Sequence, residues 1–344
     1  MIRFGTQQAF HIGEPSEIAA VRRAATSLAQ QLDFSELKIG QLALVVTEAA
    51  TNIVKHAKQG EILLRSLECG QNFGVEIIAL DRGPGIANIK LQMEDGNSTT
   101  GTYGGGLGAI SRLSQEFDIY SNRDQGAALI MVVWANTIPQ INSRWQVGAI
   151  CLPMEGEYVC GDDWAIESDG KSLSLLVADG LGHGPDAAKA SNAATAILPH
   201  NPNQLPGIML ERANIALRGT RGAAVAVAYI DEERGQLRFA GVGNIAVSVF
   251  ESFNRRHLLS HNGIVGSNLR KLQEFSHPWE SGALLIAHSD GLGTRWDLDR
   301  YPQLARAHPG LIAAVLYRDF TRGRDDVTVI VLRDCNDVIS RDYQ

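Results

Sequence analysis

Apolar residues recur along this chain in two rhythms, and the changes of rhythm mark its elements. Residues 3–12 read as a strand. From Pro15 to Leu32 the apolar positions Ile18, Val21, Ala25, Leu28 and Leu32 return every three or four residues, which predicts an amphipathic helix. Pro15 suits its first turn, where a missing N–H costs little. Ser35 is placed to cap a second helix running to about His56, with Leu42, Val46, Ala49 and Ile53 at helical spacing. Glu61–Glu68 and Phe73–Leu80 then alternate with period two and predict paired strands joined at Cys69-Gly-Gln-Asn72. A glycine-rich stretch, Gly96–Gly108, leads into a helix to about Gln115, followed by strands near Phe117–Ser121 and Ala127–Trp134.

Both rhythms fail across Ala135–Arg144, which sets a linker at 137–145 between domains spanning 1–136 and 146–335. Strands dominate beyond it: Gln146–Leu152, Tyr158–Glu167, Leu173–Ala178, Ala223–Ile230, Gln236–Ala240, Ala246–Phe250, Ala283–Ala287 and Val327–Leu332. Helices are expected at Pro185–Leu198, Gln204–Leu217 and Gly310–Phe320. Asn254–His257 reads as a short solvated basic turn, and His261–Gly266 as an exposed loop. Hairpin-linked strands with few helices predict packed antiparallel sheets covered by helices.

Composition narrows the picture. A chain of 344 residues suits two cores better than one. With 44% hydrophobic and 20% charged residues it is globular. A net charge of -7 and five scattered tryptophans argue against a nucleic-acid surface. Apolar runs such as Gly282–Ala287 are too short to span a bilayer, and Met1-Ile-Arg-Phe-Gly5 does not begin a signal peptide, so a cytoplasmic protein is expected. Cys69, Cys151, Cys160 and Cys335 show no metal-ligand spacing and read as reduced thiols.

Three motifs in the first domain bear on chemistry. Glu48, Asn52 and His56 are four apart and share one polar face of an apolar helix. That face is either a solvated stripe or a place where a carboxylate and an amide hold Mg²⁺ and orient a hydroxyl. Ile77-Ile-Ala-Leu-Asp81 ends a strand in a carboxylate, with Gly83 and Gly85 after it. This is a plain glycine turn, or an acceptor for an exocyclic amine beside backbone that a flat ligand can approach. Thr99–Gly108 precedes a helix whose N–H groups can cradle phosphates, and it lacks the Gly-Lys-Ser/Thr of a P-loop.

In that order the motifs resemble the GHKL ATPase superfamily, and residues 9–134 resemble the anti-sigma-factor serine/threonine kinases of bacterial partner switching. The resemblance implies that Glu48 activates the acceptor hydroxyl, Asn52 binds Mg²⁺ and Asp81 reads the adenine of ATP. It implies further that Gly83 and Gly85 shape the pocket while Gly104, Gly105, Gly106 and Gly108 close over the phosphates. His56 is expected to pack, not to carry phosphate. One departure is Gly126-Ala-Ala128, where related domains often place a threonine near adenine.

The second domain spaces its carboxylates differently. Gly161-Asp-Asp163, Asp179-Gly-Leu-Gly-His-Gly184, Ser289-Asp-Gly291 and Arg324-Asp-Asp326 each lie beside glycine or at an expected strand end. Singly, each aspartate suits a turn. Together they suit two divalent ions about 4 Å apart, which neutralise a phosphate and activate water. Residues 146–333 resemble the PP2C-type serine/threonine phosphatases, in the compact branch that serves sporulation and stress switches. By that resemblance Asp162, Asp179, Gly180, Asp290 and Asp325 bind Mn²⁺ or Mg²⁺, with Asp163 and Asp326 behind them and His183 a candidate proton donor.

The fold expected is therefore α+β in two domains: a GHKL-type α/β sandwich, then a PP2C-type α-β-β-α sandwich of antiparallel sheets. The resemblances imply a bifunctional regulator that uses ATP and Mg²⁺ to phosphorylate, and two Mn²⁺ or Mg²⁺ ions to dephosphorylate, serine or threonine on STAS-domain antagonists or stressosome-like proteins. A sigma factor or downstream effector is a further partner; nucleic acid and membrane are not. The alternative is a phosphatase whose first domain is only a nucleotide-gated binding or anti-sigma module.

Overall fold

A computed structural model describes residues 2–93, 106–138, 143–251, 254–267, 269 and 272–335. The chain forms two compact units, Ile2–Ile141 with Asp297–Arg318, and Asn142–Trp296 with the residues from Asp319 onward.

In the first unit, β1 (Arg3–Phe4), β2 (Gln8–Ile12), α1 (Pro15–Gln31) and α2 (Glu36–Asn52) precede a hairpin of β3 (Gly60–Cys69) and β4 (Asn72–Asp81). Then come α3 (Ile89–Met93), α4 (Gly106–Leu113), β5 (Glu116–Ser121) and β6 (Ala127–Trp134). The expected strand over 3–12 is split in two. Helix α1 starts where Glu17 accepts from the Glu14 amide at 2.8 Å and the Gly13 amide at 2.5 Å. Ser35 Oγ accepts from the Lys38 amide at 3.4 Å and caps α2. The sheet runs β1-β3-β4-β6-β5, with β2 also pairing β3, all antiparallel. On β4, Val75, Ile77 and Ala79 join Leu42, Val46 and Ala49 of α2 in one core, as period-two alternation requires.

Helix α2 ends in a π-helical turn, Ile53–Ala57, and Lys58 follows at φ 70°. By length and composition the 22 residues Glu36–Ala57 are apolar enough to cross a membrane, which the short apolar runs had not suggested. Small residues and one carboxylate interrupt the stretch, and its Leu42, Val45, Val46, Ala49 and Ala50 are buried in this core.

In the second unit, β7 (Trp145–Leu152), β8 (Asp162–Ser168), β9 (Ser172–Gly180), α5 (Pro185–Thr195), α6 (Pro206–Ala216), β10 (Ala223–Asp231), β11 (Gln236–Val242), β12 (Ala246–Glu251), β13 (Asn254–Leu258), β14 (Phe275–Pro278) and β15 (Leu284–His288) lead to α7 (Pro309–Phe320) and β16 (Val327–Asp334). Two antiparallel sheets result, β14-β11-β10-β9-β8 and β13-β12-β15-β16-β7. Leu173, Leu175 and Val177 point into the core shared by the sheets. The intervening Leu176 and Ala178 pack in a second core with Ala190 of α5 and Met209 of α6.

Three readings change. Asn254–His257 is not a turn: it pairs with β12 as an edge strand, with Arg256 held by Glu251 at 3.1 Å. Residues 158–161 precede β8, and Tyr158 is 98% exposed. His261–Gly266 is stitched to the end of the β14-β11-β10-β9-β8 sheet through bridges of His261 to Val242 and Val265 to Ala223.

Residues 309–318 of α7 group with the first unit. A side-chain carbon on Gly310 would lie 2.5 Å from Ile130 Cδ1 of β6. The His308 amide donates to Asp118 Oδ2 of β5 at 2.8 Å.

Candidate nucleotide and metal sites

The carboxyl end of β4 and the start of α4 frame the first site. Asp81 Oδ1 accepts from the Gly83 amide at 2.7 Å and from the Ala127 amide at 3.3 Å, so the turn and the neighbouring strand fix the carboxylate. Burial raises its pKa above the usual carboxylate range, against the pull of those amides, Arg318 and His56. Gly83 is required by crowding: a Cβ would stand 2.8 Å from that of Ala57. Gly85 has φ 72°, and its Cβ would strike the Asn122 carbonyl.

Gly106 opens α4 directly beside α2. A side-chain carbon there would lie 3.3 Å from Asn52 Oδ1 and 3.7 Å from Glu48 Oε2. Glu48 and Asn52 are half-buried on one face, as their spacing predicts, while His56 is exposed in the π-helical turn. Gly108 packs inward, where a Cβ would meet the Met93 carbonyl at 2.9 Å. Gly104 and Gly105 lie outside the described residues. The donor set fits a nucleotide with Mg²⁺: a carboxylate at one end, bare helix-start backbone at the other, and an acid–amide pair beside it.

The second site gathers at one end of the sheets. Asp162 and Asp179 are direct partners across β8 and β9. The Gly291 Cβ position falls on the Asp326 carbonyl, so the turn carrying Asp290 packs against the segment carrying Asp325. These carboxylates raise one another's pKa. Burial, then Asp162, Asp290 and Asp325, push the Asp179 carboxyl up to about 8. Burial, Asp326 and Asp325 push Asp162 up to about 7 against hydrogen bonds from Ser289 and Thr328. Burial and Asp290 also raise Asp325. Among the described residues no three His, Cys, Asp or Glu side chains close on one point.

The residues fit divalent cations nonetheless, because Asp162 Oδ2 and Asp326 Oδ2 are buried without a hydrogen-bond partner. Gly180 accompanies Asp179 because a Cβ there would strike the Ala187 carbonyl of α5. Asp163 turns away to accept from Thr195 Oγ1, and Asp326 Oδ1 accepts from the Met154 amide at 2.8 Å.

Two contacts were not legible beforehand. Asn244 Nδ2 donates to Asp290 Oδ2 at 2.6 Å, and Glu157 Oε1 holds His183 Nδ1 at 2.7 Å. Asn244 ends Gly241-Val-Gly-Asn244, one of the segments behind the phosphatase resemblance, but nothing in it gave the contact to Asp290; Glu157, 26 residues from its partner, carried no signal.

Known proteins match each half. Residues 13–133 match the histidine kinase-like ATPase domain family, and residues 169–334 match the stage II sporulation protein E family. The serine/threonine-protein kinase RsbT of Bacillus subtilis is 34% identical over 118 residues, covering 34% of this chain and 89% of RsbT. The phosphoserine phosphatase RsbX of Bacillus subtilis is 31% identical over 155 residues, covering 44% of this chain and 76% of RsbX. The chain belongs to both families. A crystal structure of RsbX in complex with magnesium is similar with a TM-score of 0.51 and 27% identity, covering 57% of this chain and 98% of that one. A chain solved in work on the bacterial stressosome as a modular system adapted to control secondary messenger signaling has a TM-score of 0.52 and 31% identity, covering 55% and 99%. The fusion thus has the architecture of an Rsb-type partner-switching regulator, a kinase-like ATPase domain followed by a PP2C-type serine/threonine phosphatase domain.

Proposed function

We propose that this chain both writes and removes phosphate on serine or threonine of a STAS-domain or stressosome-like protein in the cytoplasm. The observation that carries the removal half is Asp162 pairing with Asp179 across β8 and β9, its Oδ2 buried without a hydrogen-bond partner among the described residues, which supports Asp162, Asp179, Asp290 and Asp325 as ligands. Together with the Gly180 carbonyl these residues would hold two Mn²⁺ or Mg²⁺ ions. When bound, such ions neutralise the phosphate and activate water. His183, held by Glu157, then gives a proton to the departing serine oxygen.

The writing half is supported by Gly106 facing Glu48 and Asn52. Asp81 would take a hydrogen bond from the adenine amine. The amides at the start of α4, with Gly104, Gly105, Gly106 and Gly108, would surround the phosphates. Glu48 would accept the proton of the attacking hydroxyl, and Asn52 would hold Mg²⁺. Neither nucleic acid nor membrane takes part, and a sigma factor or effector downstream would read the outcome.

Incubation with γ-labelled ATP and STAS proteins tests the pair of activities. Labelled serine or threonine is expected, lost again when Mn²⁺ is added, and Glu48→Gln should prevent labelling while ATP still binds. A second reading is a binding module gated by nucleotide, in which the departure at Gly126-Ala-Ala128 bears on how strongly nucleotide is held. No labelling, with ATP-dependent capture of the STAS protein, would establish that reading instead.

A further inference from the structure

Arg318 lies in α7, inside the stretch that matches the phosphatase family, yet it packs in the compact unit of the ATPase segment. Its side chain is buried, at 6% exposure. Nη1 donates to the Asp81 carbonyl at 3.0 Å and stands 3.5 Å from the Ala127 carbonyl. The return contact comes from Arg82, whose Nη2 donates to the Arg318 carbonyl.

Both carbonyls belong to residues that already meet through another bond, since the Ala127 amide donates to Asp81 Oδ1. The guanidinium therefore closes a ring that fixes the end of β4 against the start of β6. Nη1 carries two N–H groups, so this one nitrogen can serve both carbonyls. A buried cation here also favours the ionised form of Asp81, the form with most acceptor capacity.

We infer that Arg318 is a positioning residue of the nucleotide site, supplied by the phosphatase-family stretch, which holds Asp81 in the geometry that selects an adenine base. The inference rests on the proposal that this site binds ATP. It makes adenine recognition a property of the fused chain and not of residues 13–133 alone. It also gives the strand end near Ala128 a support that the missing threonine does not provide.

Calorimetric titration of the full chain with MgATP and MgGTP separates the possibilities. The unaltered chain is expected to prefer ATP, because guanine offers no amine at the corresponding position. Arg318→Met, which keeps an apolar stem, should weaken ATP about tenfold or more and shrink the preference over GTP. Arg318→Lys should fall between the two and guards against failure of the methionine variant to fold. A purely structural role would lower the melting temperature while leaving nucleotide affinity and base preference of the folded protein unchanged, and that result overturns the inference. If the unaltered chain binds no ATP, it is the underlying reading of the site that falls.

Discussion

Asp162 and Asp179 bind their protons more tightly in the folded chain than in the unfolded one, where an aspartate titrates near ~3.9. Their contribution to stability is complete only below that value. It is lost as pH rises through about 7 for Asp162 and about 8 for Asp179. The metal-free chain is therefore expected to melt at a lower temperature at about pH 8.5 than at about pH 6. Calorimetry in the presence of a chelator reads this, and Asp179→Asn should flatten the slope. Excess Mg²⁺ should restore stability at the higher pH, because ligands must be deprotonated to bind. At the same site, Asn244→Ala frees an Asp290 oxygen that is now held at 2.6 Å. Metal affinity should fall about 10- to 100-fold with the fold intact, as titration with Mn²⁺ would measure. The aspartates stood out in the sequence because Asp162, Asp179 and Asp290 sit beside glycine and Asp325 lies just ahead of an expected strand. Their supports did not, since Ser289, Thr328 and Asn244 are common residue types that only the folded strand ends and turns bring to the carboxylates.

Among the elements, the β3–β4 hairpin carries its own burden. Arg65 and Glu76 are register partners whose side chains are 2% and 5% exposed, with Nη2 2.7 Å from Oε1. The guanidinium also lies 4.3 Å from the Phe4 ring centroid. Removing one member of a buried pair strands the other, so Glu76→Ala should cost about 3–5 kcal/mol in denaturant unfolding. A surface pair such as Lys171 with Glu233 should give a change too small to resolve. The hairpin was legible from alternation alone. Strand β13 was not, because Asn254-Arg-Arg-His257 lacks an apolar face and pairs with β12 through backbone and polar contacts such as Arg256–Glu251 and His257–Ser248. The opposite error fell at Tyr158-Val-Cys160, β-prone residues that lie ahead of β8 with Tyr158 in solvent. Propensity reports what fits a half-buried pleat, and neither segment met that condition in the expected way.

Across the whole molecule, the failure of both rhythms over Ala135–Arg144 is what led to the expected linker. Periodicity shows that α7 has an apolar face but not what that face covers, so the grouping of Asp297–Arg318 with the ATPase segment left no trace in the sequence. That grouping has a measurable consequence in hydrogen exchange. A ligand slows exchange in the unit it stabilises, by an amount set by its concentration relative to Kd. Mn²⁺ without nucleotide should slow amides near Asp162, Asp179, Asp290 and Asp325. MgATP should slow amides at 81–85 and along α4, and it should also slow those of Leu311–Arg318, although these residues lie within the stretch that matches the phosphatase family. If Leu311–Arg318 followed Mn²⁺ and ignored ATP, the segment would belong energetically to the phosphatase core. The boundary drawn from the sequence at residue 146 would then describe the working units better than the contacts do.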